Sequence, residues 1–207
     1  MRLFLILSLL ANPAFADSAA LDTWLKRQPS IQSIDVTFTQ ERKLPALKEA
    51  VRTSGRLSFS KPSMVRWQLG EPAQTLAVSD GTTFTVMDVA EKTAREIPVD
   101  SPAAARFSML TGDAFGSPET FRKSFEIEAH QVSSGIHQYT LKPKDRRMRT
   151  NVSWVFLDID PAKNELRAME IELKDRSRIR TIFNKPRFNV KFPAGFFQPD
   201  LHGYVVK

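Results

Sequence analysis

The sequence predicts a mainly β protein: a strongly curved antiparallel sheet that forms an incomplete β-barrel with a helical lid. Three observations predict it. Residues Gly55–Asp88 form short runs of alternating apolar and polar residues, separated by turn residues. Comparable runs occupy most of the later chain. The helical patterns are few and short, enough to cover a sheet but not to build a layer of their own.

Composition narrows the class. At 207 residues the chain suits one domain with a sizeable core, and 42% hydrophobic with 26% charged residues is ordinary for a globular protein. The formal net charge of +7 favours anionic surfaces without choosing among them. There is no cysteine, which removes disulfides, thiolate metal sites, cysteine nucleophiles and a lipid-bearing N-terminal cysteine together.

The N-terminus reads as an export signal. Arg2 is a minimal positive region, Leu3–Leu10 an apolar stretch, and Ala14-Phe15-Ala16 a small-x-small cleavage pattern. The apolar stretch is far shorter than the ~20 residues of a spanning helix. Removal of residues 1–16 leaves one domain over 17–207, and a bacterial-type exporter delivers it to the periplasm.

Along the remaining chain, Ser18 is placed to cap a helix over Ala19–Gln28, with Leu21, Trp24, Leu25 and Gln28 on one face and Pro29 as its stop. Ile34, Val36 and Phe38 alternate with Asp35, Thr37 and Thr39 as a first strand. Glu41–Ala50 is polar and irregular, a loop. In the meander, Leu57 and Phe59 oppose Arg56 and Ser58. Lys61-Pro62-Ser63 turns the chain, and Val65, Trp67 and Leu69 then alternate with Met64, Arg66 and Gln68. Leu76 and Val78 follow Gly70-Glu71-Pro72, Phe84 and Val86 follow Asp80-Gly81, and a short run lies near Thr93–Ile97.

Asp100–Lys123 interrupts the β pattern. Ser101-Pro102 opens a helix carrying Phe107, Met109 and Leu110, Thr111-Gly112 closes it, and Ser117-Pro118 opens a second helix carrying Phe121. Strands resume over Phe125–Ala129, Ile136–Lys142, Asn151–Ile159, Glu165–Lys174 and Arg178–Lys185, with a last extended piece at Phe188–Phe192.

Ten or eleven such strands at ~4.8 Å spacing make a sheet ~50 Å wide. Sheets of that width curl as strand twist accumulates. Two or three helices, each ~10–12 Å across, cover such a face only if it wraps around them. The concave wall is then Val36, Phe38, Leu57, Phe59, Val65, Trp67, Leu76, Val78, Phe84 and Val86. An apolar hollow under a detachable cover suits a lipid; the same periodicity equally fits a barrel filled by its own side chains, a non-transporting envelope module.

Signatures of catalysis are weak. His130, His137 and His202 show no metalloprotease spacing, and there is no Gly-x-Ser-x-Gly elbow or Gly-rich phosphate loop. Ser58-x-x-Lys61 straddles a strand end instead of opening a helix. Asp158, Asp160 and Asn164 lack the glycine and closing glutamate of a calcium loop. No enzyme activity, metal or cofactor is expected.

The order Phe38-x-Gln40, Gly55-x-Leu57-x-Phe59, Lys61-Pro62, Trp67, Pro72 and Ser79-Asp80-Gly81 resembles the LolA family of periplasmic outer-membrane lipoprotein carriers. Tyr139-x-Leu141-x-Pro143-Lys144 and Phe192-Pro193-x-Gly195 are similar to its later stretches. The resemblance implies a LolA/LolB-like incomplete barrel, with helices as lid, that holds the acyl chains of a lipoprotein between an inner-membrane transporter and an outer-membrane receptor. It implies no enzyme. It makes Phe107, Met109 and Leu110 lid residues and Lys61 the lid tether, where the family has an arginine with a planar donor fork. Leu44-Pro45-Ala46-Leu47, Leu110-Thr111-Gly112-Asp113 and Asp175-Arg176-Ser177-Arg178 look like a branch associated with polyene or glycolipid biosynthesis, which implies another acylated cargo as the alternative.

Lys142, Lys144, Arg146, Arg147 and Arg149 form the strongest basic cluster, to which Arg176, Arg178 and Arg180 add. It suits anionic headgroups or an acidic transporter surface, and equally a solvated hairpin tip. Export argues against nucleic acid. The protein is expected to act as a monomer.

Overall fold

A computed structural model describes residues 18–98 and 115–207. The export signal and the helix expected to carry Phe107, Met109 and Leu110 lie outside the described residues. Helix α1 (Ala19–Arg27) and a 3-10 turn (Gln28–Ser30) precede six strands: β1 (Ser33–Lys43), β2 (Val51–Ser60), β3 (Met64–Leu69), β4 (Thr75–Ser79), β5 (Thr83–Asp88) and β6 (Thr93–Pro98). Helix α2 (Pro118–Ser124) leads into β7 (Phe125–Ser133) and β8 (Ile136–Pro143). Helix α3 (Arg146–Asn151) joins β8 to β9 (Val152–Asp160), followed by β10 (Glu165–Leu173), β11 (Arg178–Phe188) and β12 (Val205–Val206).

All twelve strands form one sheet in the order β12-β6-β5-β4-β3-β2-β1-β11-β10-β9-β8-β7. Two antiparallel meanders, β1–β6 and β7–β11, are therefore joined at the β1–β11 pair. The barrel is incomplete: the edges, β7 and β12, do not pair with each other among the described residues. Helices α1 and α2 sit inside the curve, where Leu21, Trp24, Leu25 and Phe121 share one buried cluster with the inward side chains of the sheet.

Cross-strand packing explains the spacing of the first motifs. Phe38 pairs with Gly55, and a Cβ on Gly55 would meet the Phe38 ring at 2.3 Å and the Gln68 carbonyl oxygen at 2.4 Å. Only glycine leaves room for that ring, which reaches on to Trp67 at a centroid distance of 4.3 Å.

Glu41–Lys43, expected to open a loop, instead completes β1, and the elements depart from the sequence reading at four further places. Ser18 does not bond a backbone N–H of α1; its hydroxyl donates to Asp22 at 3.0 Å. Pro29 sits within the 3-10 turn that extends the helix. The basic stretch after β8 is helix α3, not a hairpin tip, because Asp145 accepts from the Met148 N–H at 2.9 Å as an N-cap.

The fourth departure concerns β4. Leu76 and Val78, expected on the concave wall, face outward. Val65 pairs with Ser79 and Trp67 with Ala77, which puts Ala77 and Ser79 on the inner face and Leu76 and Val78 on the other. The reason is the C-terminal tail. It crosses the outer face of the first meander, bonding Ser33 through Asn189 and Val190, meeting Arg66 at Phe196, and laying Leu201 and Tyr204 on Leu76, Val78, Met87 and Ala94. β4 is buried on both faces, so its apolar residues do not alternate.

On that same outer face an ionic clamp holds the seam. Asp35 of β1 is 3% exposed and accepts from Arg56 Nε and Nη2 of β2 at 2.8 and 2.7 Å, from Ser58 Oγ at 2.9 Å, and from Arg187 of β11. The Arg56 fork, with Arg187 and Ser58, holds the carboxyl down from its ordinary 3.8 to about 2, against the opposing effect of burial. A carboxyl depressed on folding adds stability above its unfolded pKa and loses it as pH falls through the folded one. Urea unfolding from pH 5 to pH 2 should therefore show stability dropping between about 4 and 2. Asp35→Asn should remove about 1 to 2 kcal/mol of that drop, a value discounted for the half-exposed guanidinium groups.

Candidate functional site

The concave wall brings together most of the expected residues. Val36, Phe38, Leu57, Phe59, Val65, Trp67 and Phe84 are all buried in one cluster, and half-buried Val86 packs against it. These are successive inward positions on β1, β2, β3 and β5, which the period of two places on one face. The wall is occupied: α1 inserts Leu21, Trp24 and Leu25 into it. Trp24 also meets the ring of Phe115 edge-on at 6.0 Å, and Phe115 stacks on Phe125 at 5.3 Å.

Polar contacts hold α1 at both ends. At its N-terminal end the Leu21 N–H donates to the buried Tyr139 hydroxyl at 3.3 Å, and Asp22 pairs with Arg122 of α2 at 2.6 Å. The hydroxyl satisfies one of the N–H groups that a helix start leaves unpaired. At the other end Lys61 Nζ donates to the carbonyl oxygens of Pro29 at 2.9 Å and Gln28 at 3.2 Å. A cation there also complements the negative end of the helix dipole. The ammonium group supplies two directed donors without the arginine fork.

Between α1 and the seam lies a cavity of about 100 Å³. Trp24, Ile34, Val36, Leu57, Phe115, Leu166, Met169 and Phe183 give it an apolar lining. Arg27 borders it, donating to the Asn164 carbonyl at 2.9 Å with its guanidinium 4.3 Å above the Phe188 ring. An apolar cavity of ~150 Å³ takes a benzene-sized guest, so this space seats the end of a chain and not its length.

Sequence reading missed the second meander's share of this wall. Tyr139 alternates with polar Gln138 and Thr140, the same signal that marks Val36 and Phe38, but Met169 follows Ala168 and Phe183 follows Ile182, so no clean alternation marks those two. The histidine spacing, which fits no metal motif, gives no sign of the pair two of them form. His130 Nε2 and His137 Nδ1 lie 3.1 Å apart, and His130 stacks on Tyr139 at 4.6 Å, beside the start of α1.

The basic cluster is only partly available. Lys142 pairs with Glu128 at 3.4 Å and Lys144 donates to the Arg122 carbonyl at 2.8 Å, whereas Arg146 and Arg149 are exposed on α3, the helix that also carries Arg147. Arg178 and Arg180, expected to add to it, are paired with Glu170, Glu172 and Asp158 on the outer face. Among the described residues no helix is long and apolar enough to cross a membrane.

A family model described as outer membrane lipoprotein carrier protein LolA matches residues 29–200. The outer-membrane lipoprotein carrier protein of Azotobacter vinelandii is 28% identical over 156 residues, 70% of this chain and 71% of that protein. A carrier of the same description from Legionella pneumophila is 31% identical over 88 residues, 42% of this chain and 43% of its own length. An uncharacterized conserved protein of Thermus thermophilus shares the fold, with a TM-score of 0.52, 9% identity and coverage of 91% of this chain and 97% of its own.

The Lys61 contacts have a measurable weight. Lys61→Ala should lower stability by about 1 kcal/mol and speed amide exchange selectively in α1, whereas Lys61→Arg should preserve both. Hydrogen exchange resolved along α1 checks this.

Proposed function

We propose that this chain, which belongs to the LolA family of outer membrane lipoprotein carrier proteins, works in the periplasm as a carrier that shields an acyl chain against its concave sheet. Residues 1–16 direct export and are removed; the remainder acts as a monomeric domain. The lipoprotein cargo arrives from an inner-membrane transporter and leaves for an outer-membrane receptor. The relatives' name as lipoprotein carriers supports the cargo class.

One observation carries the reading: the concave wall is closed by a nine-residue helix whose apolar face fills it. Leu21, Trp24 and Leu25 contribute about 5–9 kcal/mol of burial, which roughly 6–11 methylenes at ~0.8 kcal/mol each would match. A fatty tail is long enough to compete with such a plug, and a short acid is not. Lys61 and the Tyr139 hydroxyl then serve as the catch that favours the closed form. Val36, Phe38, Leu57, Phe59, Val65, Trp67, Phe84 and Val86 form the wall that the tail meets.

The close packing of that wall favours a second reading, a filled module that carries nothing. Titration with a fluorescent long-chain acylated peptide separates the two. The carrier reading expects saturable binding that weakens about tenfold in Leu166→Phe, which fills the cavity, with an unchanged or higher melting temperature. Binding absent from the unmodified protein supports the filled module.

A further inference from the structure

We propose that the end of the barrel formed by the β1–β2 loop, the β10–β11 turn and α3 docks on the surface of an anionic phospholipid bilayer. This does not require the concavity to hold an acyl chain. The cavity lies beside Ile34, at the opposite end of β1 from this surface.

The β1–β2 hairpin runs on past β3. β2 pairs with β3 only as far as Gly55 opposite Leu69, while Val51 and Arg52 continue to pair with Arg42 and Glu41 of β1. At its tip the Leu47 N–H closes a turn on the Leu44 carbonyl at 3.0 Å. Leu47 is 44% exposed and Val51 49%. Lys43 and Lys48 are exposed on either side of Leu47. A large apolar side chain held out between cations is the pattern of a segment that sinks below lipid headgroups while its charges stay among them.

The neighbouring elements extend the positive surface. Lys43 pairs with Arg178, which brings the β10–β11 turn alongside with Lys174 and Arg176 exposed. The Lys174 N–H donates to the Asn151 carbonyl at 3.0 Å, which ties in α3 with exposed Arg146 and Arg149. Glu41 pairs with Arg52, while Asp145, which caps α3, and Asp175, which accepts from the Ser177 N–H at 2.9 Å, keep their charge but are outnumbered by Lys43, Lys48, Lys174, Arg176, Arg146 and Arg149. Glu49 alone in the tip loop opposes the field. A protein partner needs a face of ~800 Å². Here the exposed large apolar side chains are confined to Leu47 and Val51 of one hairpin, set among cations, which suits headgroups better than a packed protein face.

Sedimentation with vesicles tests this on the mature chain. Binding is expected to phosphatidylglycerol-containing vesicles, not to pure phosphatidylcholine, and to weaken as salt rises. Lys43→Glu, Lys48→Glu and Arg176→Glu should each weaken it by at least about fivefold, and Leu47→Asp should do so without changing the melting temperature. Lys163→Glu, a charge reversal on the far β9–β10 turn, should match the unmodified protein. The proposal is overturned by no binding to the anionic vesicles, by equal binding to both kinds, or by an equal loss in Lys163→Glu. Uptake of the acylated peptide, measured without vesicles, reports on the carrier reading separately.

Discussion

Two meanders become one curved wall because β1 is hydrogen-bonded on both sides, to β2 and to β11. Everything the concavity does depends on that seam. Its inner side is held by Phe38, which lies between Phe183 of β11 and Gly55 of β2 in the ladder and packs on Trp67. Its outer side is held by Asp35, whose two arginines come one from each neighbouring strand. The carboxylate is buried, and burial alone would penalise its charge, so the clamp is strong only while both guanidinium groups face it. A single strand thus carries the apolar and the ionic fastening on alternate residues, which the period of two makes available.

The two faces of the first meander solve different problems. The outer face is covered by the chain's own tail, which ends by adding β12 in parallel to β6 and so protects that edge. The inner face is covered by helices. The tail is fastened by backbone bonds along its path, at Ser33 and at β6, and by Arg66. Helix α1 is fastened largely by side chains lying in an apolar groove and by a few polar contacts at its ends. Cover of the second kind rests on non-directional apolar contact, and cover of the first kind on directed backbone hydrogen bonds.

That difference also marks how far the sequence alone could be read. Alternation picked out Val36, Phe38, Leu57, Val65 and Trp67 because their strands have one wet face or one face lined with charge. It failed at Leu76 and Val78 because the tail dries the outer face of β4, and no property of those five residues announces a partner more than a hundred positions away. The capping signal at Ser117 was legible and is observed as a capping box with Thr120. The one at Asp145 is masked by the arginines beside it, which read as a charged tip. Lys61 was legible only as a place in a motif; that its ammonium group reaches two carbonyls at the end of α1 depends on how the helix is seated. The described residues give no view of Phe107, Met109 and Leu110.

The length of α1 constrains how the proposed carrier opens. Nine residues are too few to stay helical in water without tertiary packing, since isolated helices under ~12–15 residues are marginal. Lifting α1 into solvent would expose Leu21, Trp24 and Leu25 and unravel the helix as well. A tail that wedges between α1 and the sheet avoids both losses, because the helix keeps an apolar surface beneath it. The cavity already sits at that boundary, with Trp24 on one side and Val36, Met169 and Phe183 on the other. Entry there would spread two apolar layers by the thickness of one chain, trading their mutual contacts for contacts with the tail and breaking the polar contacts at the helix ends. In the proposed carrier, the carbonyls held by Lys61 and the N–H held by Tyr139 would therefore be where opening is controlled, and the apolar wall would decide what is held.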